Sequence, residues 1–123
     1  MKIDDIRALL DAAAKATPGP WHQAGIDNND SHWMREARTR DNRGIAWCGT
    51  NPEREAHRNA AYIAAASPDV VASLARIALA AVQWEHSATS ITTWDQFESD
   101  ERSLSDALRD AGLLTTAPQE PRP

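Results

Sequence analysis

Four residues, Pro18-Gly19-Pro20-Trp21, place the strongest constraint on this chain. A proline disfavours helical geometry in the residue before it, so a helix arriving from the N-terminus stops by Thr17. The two prolines fix φ on either side of a glycine, which makes a rigid corner from which Trp21 opens an extended segment. Ahead of the corner, Ile3, Ile6, Leu9, Leu10 and Ala13 recur at helical spacing, with Lys2, Asp5, Asp11 and Lys15 elsewhere on the wheel. That pattern predicts an amphipathic helix of about four turns.

Beyond the corner the helical period disappears. Three short runs read as strands: Trp21–Ala24, His32–Arg38 and Gly44–Cys48. Asp27-Asn28-Asn29-Asp30 and Arg40-Asp41-Asn42-Arg43 lie between them, and Asp and Asn favour turns because their side chains bond nearby backbone. In the second run, alternation sets Trp33 and Arg35 on one face and Met34 and Glu36 on the other. In the third, Ile45 and Trp47 share a face. The expected arrangement is an antiparallel three-stranded meander with one face laid on helices.

The helical period returns at Thr50-Asn51-Pro52-Glu53, where Asn51 suits a cap and Pro52 a first helical position. Ala56, Ala60, Ile63 and Ala64 form its apolar stripe. Ser67-Pro68-Asp69 repeats the same grammar, with Ser67 as cap and Pro68 first inside. The helix that follows carries Val70, Val71, Leu74, Ile77, Ala78, Ala81 and Val82, and it should meet the preceding one at a bend because almost no loop separates them. His86–Thr93 reads as a polar connector. Thr93-x-x-Gln96 has the form of a capping box, opening a last helix with Phe97, Leu104, Leu108 and Ala111 on one face and Gly112 at its end; polar Ser99–Glu101 is the place where it would break. The fold class is therefore α+β: an N-terminal helix, a small meander, a bent helical pair and a C-terminal helix. A single domain is expected over residues 1–114, followed by a disordered Pro-rich segment, residues 115–123.

Composition adds a puzzle. Of 123 residues, 41% are hydrophobic, but there is one Phe and one Tyr against five Trp, and much of the remainder is Ala. Alanine favours helix and buries little area, so the tryptophans are expected to supply the bulk of the core. The net charge is −5. Residues 35–58 hold six arginines against four acids, whereas residues 85–123 hold eight acids against three arginines. An acidic whole disfavours general nucleic-acid binding. The single Cys48 excludes an intrachain disulfide or a C-x-x-C site. The first sixteen residues lack an apolar run and so read as no signal peptide, and no segment approaches the ~20 apolar residues of a membrane span. A cytoplasmic protein with no membrane association is expected.

The order Ala16-Thr17-Pro18-Gly19-Pro20-Trp21, a polar strand region, then Asn59-Ala60-Ala61-Tyr62-Ile63-Ala64-Ala65-Ala66-Ser67-Pro68-Asp69-Val70-Val71 resembles the Ead-like family of small early accessory proteins of tailed phages and prophages. The likeness covers roughly residues 6–82. It implies a phage or prophage origin, an early non-virion role toward the host, and no catalytic residues. Relatives often continue the last shared helix into a coiled-coil-like extension; here Ser87–Thr93 departs from that pattern. Pro18, Gly19, Pro20, Trp21, Asn59, Ser67 and Pro68 carry the motif. Trp21 is expected to pin the first helix to the sheet, and Asn59 to tie helix to sheet through a backbone hydrogen bond.

Three groups of residues bear chemistry. His22, His32, Cys48 and His57 are ligand types for zinc, at spacings that match no finger or H-E-x-x-H pattern, so no metal or other cofactor is expected. Cys48 with His57 and Glu53 has the composition of an activated thiol site, but an inert buried cysteine is the simpler reading. Trp33 and Trp47, beside Arg35, Arg38 and Arg43, either fill the core or form an aromatic platform for a small nucleotide. Arg54 and Arg58 read as a solvated helix face, Arg58 pairing with Glu55. The apolar stripe of residues 70–82, with Leu79 and Trp84 off its seam, exceeds what a thin sheet covers, and surplus apolar surface calls for a partner. These features lead to a non-enzymatic accessory protein that forms a homo-oligomer, by default a dimer, and binds a host or phage protein. The alternatives are a small-nucleotide binder using the Trp/Arg strand surface and, further off, a metal- or Cys-dependent hydrolase.

Overall fold

The computed structural model describes residues 1–49, 52–90 and 93–114. The order is α1 (Ile3–Lys15), β1 (Trp21–Gln23), a 3-10 turn (Trp33–Arg35), β2 (Glu36–Thr39), β3 (Gly44–Trp47), α2 (Glu53–Ala65), α3 (Pro68–Thr89) and α4 (Trp94–Asp110). The strands form one antiparallel sheet in the order β1-β2-β3. The architecture is α+β, as the sequence predicts. No single helix among the described residues is long and apolar enough to cross a membrane. Two compact units divide the chain: Asp11–Ala72, and Met1–Leu10 with the described part of Ser73–Pro123.

In the unit of residues 11–72, α2 lies on one face of the sheet and against the 3-10 turn. Its Ala56 and Ala60 are 2% and 0% exposed, and across from them Ala37 is 0% and Thr39 2% exposed. Methyl-sized side chains on both surfaces let helix and sheet approach closely, and dense packing then leaves no room for a large ring. No large side chain among the described residues is fully buried. The tryptophans therefore do not supply the bulk of the core: Trp33 and Trp47 are 42% and 46% exposed. Gln23 ties the layers together, its amide donating to Met34 O at 2.7 Å and to His57 O at 3.0 Å. That is the helix–sheet link expected of Asn59, which is exposed instead.

The second predicted strand needs correcting. Its first half is not extended. The Asp30 carboxylate accepts from His32 N at 3.1 Å and the Asp30 carbonyl from Met34 N at 3.2 Å, which curls Trp33–Arg35 into a 3-10 turn before β2 begins. Aspartate competes for local backbone in this way, so Trp33, Met34 and Arg35 do not alternate across a sheet. Both predicted turns are present, with Asn29 and Asn42 at φ 53° and 64°. The Thr39 hydroxyl fastens the second, donating to Asp41 at 2.5 Å while accepting from Arg43 N at 3.0 Å.

The corner and the start of α3 meet in this unit. Gly19 faces Asp69 and Ser67 so closely that a Cβ there would run into the Asp69 carboxylate and stand 3.1 Å from both Ser67 Cβ and Ser67 Oγ. Ser67 is buried and its hydroxyl donates to Asp69 at 2.6 Å. Ser67 precedes Pro68 at the helix start as expected, and its carbonyl takes the first helical bond from Val71. The Gly19–Pro20 peptide is cis. Trp21 turns its indole N–H back to Thr17 O at 3.2 Å, so the ring closes the corner on itself, half-buried. At the other motif proline, Pro52 stands at the cap of α2 rather than at its first position; Asn51 lies outside the described residues.

In the unit of residues 1–10 and 73–114, the expected connector at His86–Thr93 is shorter than predicted, because α3 runs on through Thr89. Serine and threonine within a helix can bond a carbonyl one turn back, as the Thr89 hydroxyl does to Glu85 O at 2.9 Å, and the buried Ser87 hydroxyl donates to Asp100 of α4. Thr93 caps α4, accepting from Gln96 N at 3.2 Å, but the Gln96 side chain bonds Asp100 instead of completing the box. The helix passes through Ser99–Glu101 unbroken. It ends at Gly112, φ 76°, with Gly112 N donating to Arg109 O and Leu113 N to Leu108 O, the paired bonds of a Schellman stop. Along α3 the buried alanines are Ala72, Ala75 and Ala80, while Val70, Leu74 and Val82 of the predicted stripe are exposed.

Candidate functional site

Strand register decides which side chains share the sheet face away from α2. Glu36 pairs with Trp47, Ala37 with Ala46, Arg38 with Gly44 across a register shift, and His22 with Arg38. Ala37 and Thr39 turn inward, so Glu36 and Arg38 turn outward, and Trp47 and His22 stand on the same outer face. The 3-10 turn then brings Trp33 over this face. The Arg38 guanidinium lies 4.6 Å from the Trp33 ring centroid. His32 sits between the two tryptophans, edge-on to Trp33 at 5.1 Å and tilted against Trp47 at 5.4 Å. The result is a row of three rings with a guanidinium at one end.

The charges around this row are already matched. Arg38 donates through Nε and a terminal nitrogen to one Glu36 oxygen, at 3.0 and 2.9 Å, and that pair is mostly shielded from solvent. The Glu36 carboxylate fills the space that a Cβ on Gly44 would need. Arg35 points elsewhere: its side chain is 14% exposed and pairs with Glu53 of α2 at 3.8 Å. Arg43 sits in the exposed β2–β3 turn, 3.1 Å from Asp41. Of the five predicted platform residues, Trp33, Arg38 and Trp47 come together, whereas Arg35 and Arg43 do not join them. His32, weighed in the sequence only as a metal ligand, completes the row. The signal that would have found it is Asp30, whose turn-forming side chain redirects both His32 and Trp33.

The other two groups are placed as follows. Among the described residues no three His, Cys, Asp or Glu side chains are gathered to hold a metal ion. His57 puts Nε2 2.7 Å from Ser31 O and 3.7 Å from Glu53; a carbonyl only accepts, so Nε2 carries the proton of that bond. Burial pushes the Cys48 thiol above its ordinary value, the opposite of what activates a thiolate. Asp41 is held below the ordinary carboxylate value, first by the Thr39 hydroxyl and its own backbone N–H and then by Arg43. The Arg58–Glu55 pair is not among the ion pairs of the described residues; Arg58 and Asn59 are both exposed on α2.

Comparisons with protein-family models, with curated proteins and with solved structures give no match. Exposed tryptophan with arginine is the composition of protein-binding hot spots, in which rigid rings give large contact area at small entropic cost.

Proposed function

We propose that this chain is a non-enzymatic accessory protein of phage or prophage origin that works by self-association and by binding a host or phage protein. The observation that carries the reading is the exposure of Trp33 and Trp47 in one row with His32 and Arg38. Rings of this size on a sheet face lose contact with water only when another surface covers them, and their burial supplies the main favourable term of association. Val70 and Leu74, one turn apart and both exposed on α3, support self-association in the same way. The resemblance of residues 16–21 and 59–71 to the Ead-like family supports the setting.

Sequestration of a small nucleotide is the second reading, favoured by the guanidinium stacked on Trp33. The engagement of Arg35, Arg38 and Arg43 with Glu53, Glu36 and Asp41 weighs against it, because a phosphate would first have to displace a carboxylate. A photo-crosslinking residue at position 47, with a control at Arg54 on the exposed face of α2, separates the two in host cells. A discrete protein adduct from position 47 alone supports protein binding. Equal adducts from both positions, or none together with a nucleotide retained in native mass spectrometry, refute it.

A further inference from the structure

The arginines around the ring row are engaged, but the unit of residues 11–72 has a second cleft with one that is not. We infer that this cleft, formed by β1 and the two Asp/Asn turns, binds a nucleoside monophosphate, with the Trp21 ring stacking the base and the Arg40 guanidinium holding the phosphate. The inference goes beyond the protein-binding reading and does not rest on it.

The cleft measures about 400 Å³ and is lined by Pro20, Trp21, His22, Asp27, Arg40 and Asn42. That volume lies at the lower end of the ~300–1,000 Å³ range of small-molecule sites, which suits one nucleotide rather than a strand. Strand pairing explains why these residues converge: Trp21 lies opposite Thr39, so Pro20 and Trp21 come beside the turn that Thr39 begins. Within that turn Thr39, Asp41 and Arg43 bind one another, Thr39 Oγ1 to Asp41 at 2.5 Å and Arg43 to Asp41 at 3.1 Å. Arg40 and Asn42 are left out of this fastening. The backbone that carries Asn42 is nonetheless fixed, at φ 64° with its N–H donating to Thr39 O at 2.9 Å.

Two observations indicate the ligand. The first is that the polar side chains of the cleft are uncommitted. Among the described residues, His22, Asp27, Arg40 and Asn42 have no side-chain hydrogen bond or ion pair, whereas Arg35, Arg38 and Arg43 of the same stretch each hold a carboxylate. A phosphate here meets a free guanidinium, whose planar fork grips two oxygens at once, and it displaces no acid. The second is the ring. Trp21 is half-buried and its indole N–H is fastened to Thr17 O at 3.2 Å, so the stacking surface is set before a ligand arrives. Around it, Asp27 accepts from ribose hydroxyls or a base amine, and the Asn42 amide both donates and accepts at a base edge. Asp27 also repels further phosphates, which favours a monophosphate over a polyanionic chain.

Isothermal titration calorimetry of the full chain with adenosine monophosphate, adenosine and inorganic phosphate tests this. Adenosine monophosphate should bind saturably at one site per chain, at least about tenfold more tightly than either fragment. Arg40→Ala should weaken it by at least about tenfold. Arg54→Ala, which removes the same charge from the exposed face of α2, should weaken it by less than about twofold. Arg40 and Arg54 are both exposed, so circular dichroism should show both variants folded. In the unmutated chain, the Trp21 indole N–H signal in NMR should move with adenosine monophosphate while those of Trp33 and Trp47 stay. Absence of binding at millimolar nucleotide overturns the proposal. So do adenosine or phosphate binding as tightly as the nucleotide, equal effects of Arg40→Ala and Arg54→Ala, or movement of Trp33 and Trp47 with Trp21 still, which assigns the nucleotide to the ring row. The crosslink from position 47 is read separately, so failure at this cleft leaves the protein-binding reading in force.

Discussion

Replacing Gly19 with alanine tests the close fit of the corner against Ser67 and Asp69 in the unit of residues 11–72. The new methyl would collide with the Asp69 carboxylate and press on Ser67 Cβ and Oγ at 3.1 Å, inside the ~3.5–4.0 Å optimum for such atoms. Asp69 can swing aside only by giving up the 2.6 Å hydrogen bond from Ser67, and a bond to a charged acceptor contributes about 1.5–3 kcal/mol. Ser67 is 3% exposed, so it cannot relieve the pressure by turning out into solvent without giving up its burial. Against this, alanine restricts the unfolded chain and returns about 0.4–1 kcal/mol. The expected net loss is about 1–3 kcal/mol, the usual cost of overpacking. Urea denaturation should show it as a lower midpoint with unchanged slope, the mark of a stability change without a change in compactness. In an Asp69→Ala background the collision and the bond are both already gone, so Gly19→Ala should cost less than about 1 kcal/mol. A neutral or stabilising Gly19→Ala, or an equal cost in both backgrounds, would refute the contact.

Gln23→Ala strips donors from Met34 O and His57 O and should cost about 1–3 kcal/mol, the range for part-buried groups left unpaired, measured by chemical denaturation. Trp33→Ala should lower stability by no more than about 1 kcal/mol, because the ring is 42% exposed and its contact with Arg38 is a surface cation–π pair; the same variant should abolish the position-47 crosslink. Asp41 titrates below its ordinary 3.8 in the folded chain, so its contribution to stability is fully present above that value and lost as pH falls through the lower folded one. Thr39→Val removes the first cause of that depression and should shift the Asp41 carboxyl NMR titration upward, while an unmoved titration would show that the hydroxyl is not responsible.

Much of the fold is legible in the residues because its punctuation is local. Pro18 ends α1, Ser67-Pro68 opens α3, Thr93 caps α4 and Gly112 stops it, and each acts through backbone geometry that neighbours in sequence fix. The facing of the tryptophans was not legible. Trp33 is displaced by a side-chain bond from Asp30, and Trp47 is excluded from the interior because Ala37, Ala56 and Ala60 close the helix onto the sheet. Periodicity reports that a ring lies on a face, but the width of the gap behind that face is set by residues far along the chain. The continuation of α3 to Thr89 was hidden for a similar reason, since Ser87 is buried by its bond to Asp100 of α4 rather than by apolar character. Of the candidate site, Trp33, Arg38 and Trp47 were found from composition, while His32 required knowledge of the turn.

An interior lined by methyl groups has a thermal consequence. Heat capacity rises on unfolding mainly through newly hydrated apolar area, about 0.45 cal/mol/K per Å², and alanine contributes little of it. With Ala24, Ala37, Ala56, Ala60, Ala64, Ala72, Ala75 and Ala80 buried, and only Ile6 and Pro68 as larger apolar residues beside them among the described residues, the change should fall below the usual ~12–15 cal/mol/K per residue. Scanning calorimetry should then trace a flatter dependence of stability on temperature, so that cooling weakens this fold less than it weakens one built on leucine and phenylalanine.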